Sequence, residues 1–261
     1  MPEFEKKDLF YAISKTIFLC ACLFLLFAAL FTYIPKAVET IGDAVSEKRI
    51  PIYCVSTEKP QVALSFDAAW GNEDTARILE ILAKNDVRVT FFMTGGWMNK
   101  YPDDVKAILA GGHDLGNHSQ NHKEMSKLSL EQCKEELTQP HEFIKELTGN
   151  EMILFRPPYG DYNDTVINAA EECGYYTIQW DVDSLDWKDY GVDSIIKTVT
   201  EHKHLGDGSI ILMHNGAKYT ADALESVITI LKEKGYELVP ISELIIRENY
   251  EIDHEGRQHS K

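Results

Sequence analysis

The 261-residue chain has few cysteines and a shortage of positive charge. Its five cysteines form no C-x-x-C pair: Cys20 and Cys22 fall inside an apolar run, and Cys54, Cys133 and Cys173 are scattered beyond it. So odd and sparse a set argues against a disulfide framework and against a cysteine zinc site, leaving buried or free thiols. Lys and Arg total 26 against 42 Asp and Glu, a formal net charge of -16. That sign is wrong for neutralising phosphates, so no nucleic-acid partner is expected. No long repeat or low-complexity tract is present, and 44% hydrophobic with 10% aromatic residues speaks against disorder. The length suits one large domain, and an α/β barrel would use most of it.

Charge is missing altogether from Ile17 to Ile34, IFLCACLFLLFAALFTYI, about the shortest apolar run that spans a bilayer as a helix. Lys6, Lys7 and Lys15 precede it, and Phe31, Thr32, Tyr33, Ile34 and Pro35 follow where a signal peptide would carry small residues for cleavage. The run therefore reads as an uncleaved, single-pass membrane anchor with the N-terminus inside and the rest exported. Glu3, Glu5 and Asp8 balance the three lysines, so the charge of -16 belongs to the exported part. The expected organisation is an arm over 1–16, the anchor over 17–34, a linker and lead-in over 35–59, one domain over 60–248 and a loose polar tail over 249–261.

Past Pro60, short β-branched or aromatic runs alternate with helical patterns, as in parallel βαβ units. Seven runs are predicted as strands: Val62 to Phe66, Val89 to Met93, Asp114 to Asn117, Ile153 to Phe155, Tyr176 to Trp180, Ser209 to Met213 and Glu237 to Val239. Pro140 is expected to kink or split the longest intervening helix. Periodicity does not separate a closed barrel from an open sheet. The polar residues are more telling, because Asp67, His118 and His122, Arg156, Asp181 to Asp186 and His214 all fall at C-terminal strand ends. In a parallel barrel those ends share one rim, where active sites of such folds are built.

Each of these residues alone has an ordinary structural explanation: a capping aspartate, loop histidines, a turn arginine, a core histidine. Together they describe more. His118 and His122, four apart at a strand end, suit a divalent metal. Asp67 supplies a carboxylate, and the stiff Arg156-Pro157-Pro158 corner fixes a guanidinium. His214 is a proton donor that needs a carboxylate partner, for which Asp181, Asp183 and Asp186 are candidates. The set fits metal-assisted hydrolysis of an amide or ester.

The segments VALSFDAAWG, TFFMTGGWMNKYP, GHDLGNHSQNH, FRPPYGDYN, WDVDSLDWKD and IILMHNG, in this order, resemble the polysaccharide deacetylase family, or NodB homology domain, over about Pro60 to Glu248. The resemblance implies a distorted seven-stranded (β/α) barrel, here preceded by the transmembrane helix. The implied activity is metal-dependent removal of N-acetyl groups from cell-wall glycan, with Zn as the metal, or Co or Ni. Asp67 matches the general base, Arg156 the residue paired with it, and His118 and His122 the metal ligands. Tyr159 matches the oxyanion position, His214 the general acid and Asp186 its carboxylate. Trp187 and Leu212 match the walls around the acetyl methyl. The chain departs from the family at Ala68, where a second aspartate ordinarily ligates the metal. The departure carries an alternative, a catalytically impaired glycan-binding protein on the same barrel. The SFDAAWG form resembles a sporulation-associated subgroup, which implies a role in spore cortex or envelope maturation.

Overall fold

The computed structural model describes residues 49–261 throughout, and of the first 48 only Ser14, Lys15, Ile17–Leu19, Ala21, Leu23, Phe24, Phe27 and Ala28. Those ten are helical. Among the described residues no helix is long and apolar enough to cross a membrane; much of the Ile17–Ile34 run, the arm before it and most of the linker lie outside them. The chain divides into two units, Met1–Lys48 and Arg49–Lys261, and the second carries the sheet and the site.

Its strands are β1 (Cys54–Val55), β2 (Gln61–Ala68), β3 (Thr90–Met93), β4 (Asp114–Asn117), β5 (Leu154–Phe155), β6 (Tyr176–Thr177), β7 (Val182–Asp183), β8 (Ile210–His214), β9 (Glu237–Leu238), β10 (Tyr250–Ile252) and β11 (Arg257–Ser260). Parallel pairing runs in the order β6-β5-β4-β3-β2-β8-β7, and β9 joins the start of β2. The helices are α1 (Thr75–Lys84), α2 (Gly95–Lys100), α3 (Pro102–Ala110), α4 (Leu130–Thr148), α5 (Asp164–Glu172), α6 (Val192–Thr200), α7 (Thr220–Glu233) and α8 (Ile241–Leu244). Six of the seven expected strands appear within two residues of their bounds, and the seventh, Tyr176 to Trp180, is cut to β6.

The period-2 pattern of β2 shows why this sheet has two cores. Val62, Leu64, Phe66 and Ala68 join the apolar cluster beneath the helices. Ala63 points the other way, into a smaller cluster inside the curl with Phe92, Leu154, Ile178, Ile210 and Ile241. Ser65 and Asp67 share that inner face, so the strand itself aims Asp67 at the mouth.

Three expectations are corrected. The barrel does not close by a ladder between β6 and β7. Instead, residues 178–181 carry the chain from one end of the curled sheet to the other, a reach below about 18 Å when fully extended. The lead-in bridges the opening, with Ile52 paired to Ile178 and Cys54 to Ser209. Of the kink or split expected at Pro140, the split does not occur: α4 runs as one helix of 19 residues, held by a Ser129–Gln132 capping box and a left-handed Gly149. One absent N–H is a small loss against those caps and a buried face. Residues 249–261 are not a loose tail either. β10 and β11 form a hairpin, β11 pairs with β1, and buried Gln258 bonds both the N–H and the C=O of Ile246 at 2.8 and 2.6 Å. The segment folds because the lead-in offers it a strand edge, a partner about 200 residues away that local polarity does not reveal.

Candidate active site

The inner faces of β2 and β8 bring Asp67 and His214 together, since the two are register partners on adjacent strands. Arg156, fully buried after β5, holds Asp67 from below: Nη1 donates to Asp67 Oδ1 at 2.7 Å. Nη2 donates to Ser65 Oγ at 2.8 Å and to the Gln179 carbonyl at 3.2 Å. The guanidinium also lies over Phe92, 4.2 Å from the ring centroid. Burial alone would raise the Asp67 carboxyl, but Arg156, His118 and His214 outweigh it and hold the group below its usual range. Asp67 is thus an anion fixed in place.

His118 enters from the loop after β4. Its Nδ1 lies 2.7 Å from the Arg156 carbonyl, which makes that nitrogen the donor and turns Nε2 toward Asp67 Oδ2, 3.6 Å away. His122 reaches the same mouth, ring centroid 5.0 Å from that of His118. Left-handed backbone at Ser119 (φ 66) and His122 (φ 53) folds the intervening loop tightly. Asn121 locks that loop by donating from its backbone and side chain to buried Glu136, both at 2.8 Å. Burial pushes His118 down to about 4 and lowers His122, so both imidazoles are neutral near pH 7.

On the opposite side Asp186, fully buried, accepts from His214 Nδ1 at 2.7 Å, from the His214 backbone N–H at 2.8 Å and from Thr220 Oγ1 at 2.6 Å. Of the three candidate aspartates it is the partner. Asp181 instead holds the start of β8 through Ile210 N–H and Ser209 Oγ, both at 2.9 Å, and burial lifts it to about 6. Asp183 accepts from Leu185 N–H. Burial opposes the charged imidazole of His214, but the Asp186 hydrogen bond and charge prevail and raise its pKa. A histidine whose charged form Asp186 favours therefore faces an ionised aspartate across one mouth.

Leu212 is buried on the same face as His214, two residues below it. Trp187 (52% exposed) and Tyr159 (69% exposed) stand at the rim, and the Tyr159 ring meets His122 edge-on at 4.5 Å. Tyr159 has φ 61. Of the seven described non-glycine residues with positive φ, Ser119, His122, Tyr159, Leu185 and Asp189 occupy loops after β4, β5 and β7. Such strain gathers where a site is over-determined by its surroundings.

Ser65, Gln179, Thr220, Glu136 and Trp70 belong to this arrangement and were not among the sequence candidates. Ser65 alone had a sequence signal, two residues before Asp67 in an alternating strand.

The donor set for a metal is short. His118 and His122 are neutral and suit one side of a divalent ion, but Ala68 is fully buried and places its methyl in the cluster beneath the helices. The Oδ1 of Asp74 accepts from Gly216 N–H at 2.9 Å, while its Oδ2 is buried with no hydrogen-bond partner. Among the described residues no group of three or more His, Cys, Asp or Glu side chains is gathered to hold a metal ion. The residues present do not complete a protein-only site.

Comparison with known proteins finds relatives in sequence and in fold. The family model described as Polysaccharide deacetylase matches residues 55–178. YlxY, an uncharacterized protein of Bacillus subtilis, is 39% identical over 195 residues, which cover 75% of this chain and 60% of that protein, so the match spans under two thirds of that relative. A peptidoglycan-N-acetylglucosamine deacetylase of Bacillus cereus is 35% identical over 189 residues, covering 70% of this chain and 87% of that one. Among solved structures, a CE4 family pseudoenzyme from Bacillus anthracis superimposes with a TM-score of 0.72 at 35% identity, covering 81% of this chain and 73% of that chain. A mutant of it with restored enzymatic activity is 39% identical at a TM-score of 0.71, covering 74% and 70%.

Proposed function

The chain belongs to the polysaccharide deacetylase family, the carbohydrate N-deacetylases, and from that premise we propose that it hydrolyses the N-acetyl groups of amino sugars in cell-wall peptidoglycan. The carrying observation is the pairing of an ionised, arginine-held Asp67 with an Asp186-bound His214 on adjacent strands.

In this reading Asp67 accepts a proton from the attacking water, and Arg156 keeps the carboxylate ionised and oriented. His214, with Nδ1 tied to Asp186, donates from Nε2 to the departing amine nitrogen, so acetate and a free amine leave. Leu212 and Trp187 line the space for the acetyl methyl, and the Tyr159 amide faces the developing oxyanion. A divalent ion, Zn, Co or Ni, would rest on His118 and His122 and supply Lewis-acid polarisation. The exported, membrane-anchored location and a role in spore cortex or envelope maturation are part of the same proposal, supported by the apolar run at Ile17–Ile34 and by the SFDAAWG segment.

A second reading is favoured by one observation, the alanine at position 68 in a chain that is also similar to a pseudoenzyme. In that reading the chain binds glycan without turning it over. One experiment separates the two: acetate release from N-acetylglucosamine oligomers and purified peptidoglycan with added Zn²⁺ or Co²⁺. Release that Asp67→Asn and His214→Ala abolish supports the enzyme. No release from the folded parent under any metal, together with release by Ala68→Asp, supports the impaired binder. Ala68→Asp is expected to tighten Zn²⁺ binding by about tenfold or more, measured by calorimetry, because an anionic ligand joins two neutral ones. Unchanged affinity would place position 68 away from the ion.

A further inference from the structure

Trp70 stands outside the acid–base set, yet its indole lies between the two sides of it. The ring is parallel to His214, with centroids 6.0 Å apart at 19°, and edge-on to His122 at 6.2 Å and 84°. About half of it (49%) is exposed. The loop beneath it is pinned. The adjacent Gly71 carbonyl accepts from Trp97 Nε1 at 2.6 Å and from Asn215 Nδ2 at 3.3 Å. Gly216 (φ +92) packs so near that an added Cβ would sit 3.0 Å from the Trp70 carbonyl oxygen. A large apolar ring held rigidly and left half in water is costly for the free protein and already ordered for a ligand.

The other exposed rings extend the pattern. In the Arg49–Lys261 unit the exposed large hydrophobic residues among those described are Trp70, Tyr159, Trp187 and Tyr190, and all follow the C-terminal ends of β2, β5 and β7. Tyr159 abuts His122, while Trp187 and Tyr190 flank the Lys188 ammonium at 4.9 and 6.0 Å. These rings are separated by imidazoles, a lysine and buried carboxylates, not merged into one apolar patch. Such spacing suits a ligand with apolar faces and polar edges, which describes pyranose rings better than a lipid or an apolar protein face.

We infer that Trp70 is a substrate-binding residue of this chain, an aromatic platform for a sugar ring beside the acid–base centre, with Tyr159 and Tyr190 seating the neighbouring sugars of an extended glycan. The inference rests on the glycan reading above and adds a specificity-determining residue from the loop in which the chain departs from its family. The preferred ligand is then an oligosaccharide spanning several rings.

The test is calorimetric binding of N-acetylglucosamine oligomers of four and six sugars to the full chain, without added metal, for the parent, Trp70→Ala and Trp70→Phe. Trp70→Ala is expected to weaken binding by about tenfold or more, as loss of a central aromatic anchor does, and Trp70→Phe to restore most of it. Unchanged melting temperatures show that the fold is kept. Parent binding that Trp70→Ala leaves within about twofold overturns the role of Trp70 and spares the glycan reading. A parent that binds no oligomer overturns the glycan reading and this inference with it.

Discussion

At the scale of single residues, the site sets two opposed charges close together and keeps both. Asp67 lies below its usual range because Arg156 and the two histidines outweigh burial, and His214 lies above 6.5 because Asp186 does the same. The base is therefore ready from acidic pH upward, and the acid is lost as pH rises through the folded pKa of His214. Deacetylation, on the proposed reading, is expected to fall on the alkaline side, with a limb lying above the ordinary imidazole value of 6.5. Asp186→Asn should move that alkaline limb to lower pH, as read from kcat/KM profiles. The same shifts fix the sign for stability. The raised His214 contributes fully below its ordinary 6.5 and loses its contribution as pH climbs through the folded value. The depressed Asp186 contributes above 3.8 and loses it as pH falls through its own. A limb that Asp186→Asn does not move would separate this carboxylate from the proton donor. The sequence candidates Asp67, Arg156, His118, His122, Asp186 and His214 meet at one mouth, because each ends a strand or follows one. Thr220 and Gln179 carried no such mark: a helix-start threonine and a glutamine in the crossing segment acquire their roles only through what the fold sets beside them.

At the scale of elements, the strands with long apolar or alternating runs were legible, and those made by distant partners were not. β1 falls in a short β-like run, Ile52 to Val55, but β11 is short and polar and lies about 200 residues away, so nothing local marks their pairing. Their joint is held by specific contacts. Gly208, with φ +82, passes so close to Val55 that any Cβ would strike the Val55 carbonyl. Gln258 acts as a stand-in for a ladder strand by satisfying Ile246 on both sides. Gln258→Ala leaves a buried N–H and C=O without these partners and is expected to cost about 1–3 kcal/mol, measured by urea unfolding. A loss below about 0.5 kcal/mol, the ordinary range of surface changes, would mean that the hairpin is peripheral to the fold after all.

At the scale of the whole molecule, the chain carries -16, and the wall polymer proposed as its substrate is itself often anionic. Charge then opposes binding, and shape, aromatic rings and hydrogen bonds must supply it. Raising NaCl from about 0.05 to 0.3 M is expected to strengthen binding to anionic peptidoglycan strands and to leave neutral oligomers unaltered; weaker binding to both in salt would refute this. By itself the sequence determined the α/β class, most of the strand and helix pattern and the polar residues that gather at the mouth, because hydrophobic period and the residues at strand ends are local properties; the significance of Ala68 came from the family resemblance. Only the tertiary structure decided the curled, incompletely laddered sheet, the folding of the last residues onto the lead-in and the station of Trp70 between His122 and His214. Each of those depends on which distant segments pack together, and no local pattern records that.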